Sequence, residues 1–258
     1  MSDIAIIYPR IDAAEAIVST ELETIQTETN AFESFLMNVR RLEPTGSVSL
    51  GTGGTLATAT SFTGFDPAAI RQAYRETILA MAHYDSEYGE HLLDNVEIEF
   101  GESVRAVLES EMALPPMTVG VIETAAEQAV TERQDFSRVL SEELESLERI
   151  RDQLGDIEAR FHELTEAIDQ PDSPSSDDRN RLETLAKECQ TLSVDRQETL
   201  HHRSAPYISG IGDQSLVAYL YHDYEHQFPA LVEIADVAGR INSRLGREGS
   251  LPRKVLSC

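Results

Sequence analysis

The stretch MTVGVIETAAEQAVTERQDFSRVLSEELESLERIRDQLGDIEARFHELTEAI, residues 117–168, decides the fold. Counted in sevens, one position falls on Ile122, Ala129, Phe136, Glu143, Ile150, Ile157 and Leu164. A second falls on Ala126, Arg133, Leu140, Leu147, Leu154, Phe161 and Ile168. Only Arg133 and Glu143 interrupt this apolar seam. No proline lies between Pro116 and Pro171, and Gly155 softens a helix by only about 1 kcal/mol relative to alanine. The spacing predicts one helix on the order of 75 Å long at 1.5 Å per residue. Such a helix cannot bury its seam alone and requires partner helices from its own chain or another. The two charged seam positions have two readings. Either they are buried and fix register, or the heptad slips so that Val139 and Leu144 take over and Glu143 faces solvent. The slip is the reading preferred from spacing alone.

Working outward, DQPDSPSSDD (169–178) is a polar turn, and helical spacing resumes from Arg179 to about Arg203 with Leu182, Leu185, Cys189 and Leu192 in its stripe. A short loop between long helices predicts that 179–203 folds back on the second half of the long helix. Beyond Ser204–Gly212, Asp213 caps a helix through Leu216, Leu220 and Tyr224, and Pro229 starts a last one with Leu231, Ile234, Val237, Ile241 and Leu245. These two are expected to cover the first half of the long helix.

Upstream, Ile11, Ala14, Val18, Leu22, Ile25, Phe32, Leu36 and Val39 mark a first helix that Pro44 ends. Asp66-Pro67 opens another with Ile70, Tyr74, Ile78 and Met81 buried. Two shorter helices, near 87–97 and 102–110, precede the rigid Leu114-Pro115-Pro116, after which Thr118 caps the long helix. The fold class is therefore all-α: an elongated antiparallel helical bundle, or coiled-coil hairpin, around one long helix. Its segments are an N-terminal helix (1–43), a Gly/Ser/Thr-rich linker (44–65), a short-helix segment (66–114), the long hairpin with C-terminal helices (115–246) and a frayed tail (247–258).

Charge narrows the function. With 46 acidic against 21 basic residues the net charge is −25, and only Lys187 and Lys254 of the basic residues are lysine. An arginine-dominated, strongly acidic chain suits a salt-saturated cytoplasm, where molar salt screens self-repulsion over about 3 Å. The same charge opposes binding by phosphate neutralisation, so neither nucleic acid nor an anionic membrane is an expected partner. Arg240, Arg244 and Arg247 are too few to make the C-terminal helix pair a DNA reader. Cys189 and Cys258 make no disulfide framework, Met1–Tyr8 lacks a basic leader region, and no run approaches eighteen apolar residues. A soluble, cytoplasmic protein is expected.

Candidate chemistry is sparse. Gly51-Thr52-Gly53-Gly54-Thr55 lacks the strand, lysine and helix start of a phosphate loop. His222 and His226 stand one turn apart if they lie on a helix, half of a zinc site, with His162, His201, His202 or a facing glutamate as a third ligand; the alternative is an interfacial pair beside Tyr219, Tyr221 and Tyr224. No Glu-x-x-His pairing, nucleophile elbow or cysteine–histidine arrangement is legible.

AYRETILAMAHYDSEYGE (73–90), EFG (99–101), the long heptad helix and YLYHDYEHQFPALVEIAD (219–236) together resemble an uncharacterised family of haloarchaeal helical proteins over roughly 66–245. The resemblance implies source and architecture and carries over no catalytic or binding residue. The expected role is a non-enzymatic interaction or scaffold protein that meets a protein partner or its own copies through helices, with no cofactor. A metal-binding or sensory bundle using zinc at His222 and His226 is the alternative.

Overall fold

The computed structural model describes residues 8–45, 47–49, 61–81, 92–167, 175–202 and 215–246. Ile168, residues 50–60 of the linker and the 247–258 tail lie outside the described residues. The fold is helical, with α1 Pro9–Arg40, α2 Pro67–Thr77, α3 Leu92–Phe100, α4 Glu102–Glu109, α5 Pro116–Ala167, α6 Ser176–His202, α7 Leu216–Leu220 and α8 Pro229–Arg244. The one non-helical pairing among named elements is a short hairpin, β1 Ser47–Ser49 with β2 Ser61–Thr63, antiparallel with Val48 opposite Phe62. Gly/Ser/Thr composition marks this region as non-helical, and three residues at each of its two ends pair.

Local chemistry sets the helix ends. The Asp66 carboxylate accepts the Ala68 N–H at 2.8 Å, and Pro67 occupies the first helical position of α2. Gly101, at φ 85°, separates α3 from α4 in a backbone conformation that a side chain would strain. Pro116 starts α5, so Thr118 lies inside the first turn instead of capping it. Proline needs no N–H there, which makes the earlier start possible.

The chain divides into two compact units, neither a single run of sequence. One comprises Glu21–Val139 with Pro206–Asp213. Its core brings Phe32, Phe35, Leu36 and Val39 of α1 together with Ile70 and Tyr74 of α2, Val96 of α3, Val104 and Leu108 of α4, and Ile122, Ala126 and Ala129 of α5. Phe35, Tyr74 and Phe100 form an aromatic cluster at centroid separations of 5.4 to 5.8 Å, and Phe32 meets Phe100 edge-on at 5.9 Å. Tyr74 keeps its hydroxyl satisfied in this core by donating to Asn95 Oδ1. Backbone hydrogen bonds between Phe65 and Leu114, at 2.9 and 2.8 Å, tie the entry of α2 to the segment before α5.

The other unit comprises Met1–Thr20, Leu140–Ala205 and Gln214–Cys258. In it Ile11, Ala14 and Val18 of α1, Leu140, Leu147, Ile150, Leu154, Ile157 and Leu164 of α5, Leu182, Leu185, Cys189 and Leu192 of α6, and Ile234, Val237 and Ile241 of α8 are buried. Phe161 is half-buried. Glu143 of α5 meets Arg196 of α6, and Arg160 meets Glu188, so sequence position rises on one helix as it falls on the other. Helix α6 also packs along α8.

One expectation needs correcting. Helices α7 and α8 belong with the second half of α5, not the first. The first half is covered instead by the aromatic stretch of α1 and by α2–α4, whose Phe35, Tyr74 and Phe100 supply apolar area that the small C-terminal stripe lacks.

Replacing Phe35 by alanine should destabilise the protein by about 3–5 kcal/mol, whereas Met37→Ala on the exposed side of the same helix should change stability by less than about 0.5 kcal/mol. Urea unfolding at fixed molar KCl measures both.

Candidate functional site

The buried charged groups, with the partners that reach them, form three clusters. In the unit that contains Glu21–Val139, Arg133 interrupts the α5 seam and is only 2% exposed. Its Nε donates to Glu28 of α1 at 2.8 Å, and its Nη2 donates to both carboxylate oxygens of Glu99 of α3, at 3.1 and 2.9 Å. The guanidinium lies 3.9 Å from the Phe32 ring centre. Burial pulls its pKa down, but Glu99 and Glu28 outweigh that and hold it above its ordinary value. One arginine thus joins three helices.

The second cluster surrounds Glu143, which is fully buried; Val139 and Leu144, which a heptad slip would have buried in its place, are only half-buried. Arg196 of α6 grips Glu143 through two nitrogens, at 3.0 and 2.5 Å, and donates to Ser146 Oγ at 3.2 Å. Tyr221, just past α7, donates its hydroxyl to Glu143 Oε1 at 3.1 Å. The slip therefore does not occur, because a bidentate arginine compensates the buried carboxylate and makes the unslipped register favourable. Arg196 Nε meets no hydrogen-bond partner among the described residues.

The third cluster lies in the same unit as the second. Tyr8 donates to Glu158 of α5 at 2.9 Å, and Glu158 also pairs with Arg240 of α8. Arg10 of α1 binds Glu233 and Asp236 of α8, the latter at 2.7 Å. Burial pushes the Tyr8 phenol up to about 12, opposed by Arg240 and assisted by Glu233 and Cys189. Burial likewise pushes the Cys189 thiol up to about 11, with Glu188 adding to it, so the thiol is protonated and inert at neutral pH.

The histidine pair is built differently from the sequence expectation. Helix α7 ends at Leu220, so His222 lies in a turn and His226 in irregular chain, and the one-turn spacing that would aim both rings at one point does not form. His222 Nδ1 is 2.8 Å from the Tyr219 carbonyl and its Nε2 is 2.9 Å from Asp223. His226 meets Tyr224 edge-on at 6.2 Å. Tyr221 leaves the helical conformation, at φ −112° and ψ 19°, with its hydroxyl held by Glu143. Among the described residues no group of three or more His, Cys, Asp or Glu is placed to hold a metal ion.

What the buried clusters can do follows from their geometry. Every carboxylate in them is engaged by an arginine on another helix, an arrangement that fixes which residues face one another and leaves both oxygens of Glu143 occupied. Sequence spacing locates Arg133 and Glu143 but not their partners. Arg196 had a legible signal, since it continues the α6 stripe four residues after Leu192.

Among comparisons with known proteins, one family model, described as a domain of unknown function (DUF7260), matches residues 9–244. No curated protein and no solved structure matches. No helix among the described residues is long and apolar enough to cross a membrane.

Glu143→Ala should cost about 3–5 kcal/mol by leaving Arg196 buried and uncompensated, and the apolar double variant Glu143→Leu with Arg196→Met should recover most of that loss in urea unfolding. The alkaline limb offers a second test. Both Cys189 and Tyr8 have folded pKa values raised above their ordinary 9.0 and 10.0. The folded state then holds protons that the unfolded state has released. Their stabilisation should be complete below about pH 9 and should fall as pH rises towards about 12, the loss being smaller in Tyr8→Phe, as followed by circular dichroism.

Proposed function

Because the chain belongs to the DUF7260 family, for which no activity is defined, we propose from the geometry that it is a non-enzymatic helical scaffold that presents its surface to a protein partner in a salt-rich cytoplasm. The observation that carries this reading is the use made of buried charge. In each unit an arginine and its carboxylates bridge two or three helices, which sets register and rigidity. A scaffold needs that rigidity to hold a surface in one arrangement.

In this reading the second half of α5 and α6 act as a coiled-coil hairpin that projects an acidic, arginine-laced outer face. The antiparallel pairings Glu143–Arg196 and Arg160–Glu188 support it. The source is read as halophilic from 46 acidic residues set against two lysines. At molar salt, exposed ion pairs such as Arg181–Asp177 contribute little, while buried pairs are screened far less.

Quantitative affinity capture from the native host at its own salt tests the proposal. A protein recovered in stoichiometric amount, with cross-links to the described helices, is the expected result. Recovery of the chain alone and monomeric, together with turnover of a small molecule by the purified protein, would overturn it.

A further inference from the structure

We draw no further inference here: the strongest candidate, the cavity between α2, α3 and α4 that Arg71, Arg75 and Arg105 line, carries no ligand class, because Arg105 is already paired with Glu97 and Asp94, Arg71 donates to the carbonyls of Leu108 and Ser110, and Asp94, Glu109 and Glu111 line the same cavity as the remaining Arg75, so nothing in the structure shows which charge a ligand would bring.

Discussion

Charge held inside an apolar seam is the constraint on which the structure depends. A 52-residue helix whose inner face repeats every seven residues can slide by a heptad at small cost if that face is uniformly apolar. Arg133 and Glu143 remove that freedom. Each is almost wholly buried, and a buried ion left without its counter-charge is penalised by several kcal/mol, so only the register that delivers Glu28 and Glu99 to one and Arg196 to the other is populated. Apolar packing supplies the bulk of the driving force, and the ion clusters select among arrangements that packing alone would leave close in energy.

The two clusters reach the same end by different chemistry. Around Arg133 a single cation is shared by two carboxylates and rests on the face of Phe32, within a core dominated by aromatic edges and faces. Around Glu143 a single anion is shared by an arginine fork and a tyrosine hydroxyl in a core of leucine and isoleucine. Arginine is required in both places, because a planar fork satisfies several oxygens at once where a lysine would present a point charge. The scarcity of lysine in this chain therefore has an internal counterpart in its cores.

Much of this organisation is legible in the residues. Heptad spacing places Ile122, Phe136, Leu140, Leu147, Ile150, Leu154, Ile157 and Leu164 on one face, and all are buried. The Asp66-Pro67 start of α2 is a local signal and forms locally. What spacing cannot supply is the identity of a partner. It puts Glu143 on the seam, yet without Arg196 opposite, the cheaper inference is that the seam slips. Nor does periodicity register where a helix stops. The segment from Leu216 to Tyr224 has helical spacing throughout, but α7 ends at Leu220, where Tyr221 is held by a tertiary contact to Glu143, and the geometry imagined for His222 and His226 goes with it. The β1–β2 pair is three residues a side, too short for alternation to be read.

The way the two units share the chain also governs how the molecule comes into being on the ribosome. Nearly all of the unit built on Glu21–Val139 emerges as one uninterrupted run, so its aromatic core can close while the remainder is still being made. The other unit needs Met1–Thr20 from the beginning, Leu140–Ala205 from the middle and Gln214–Cys258 from the end. Tyr8 must therefore wait for Glu158 and then Arg240, more than two hundred residues later, before its neighbourhood is complete. A nascent chain stalled before α8 would leave Arg10 without Glu233 and Asp236, and Glu158 without Arg240, so chaperones would meet this end of the molecule with its charges unpaired.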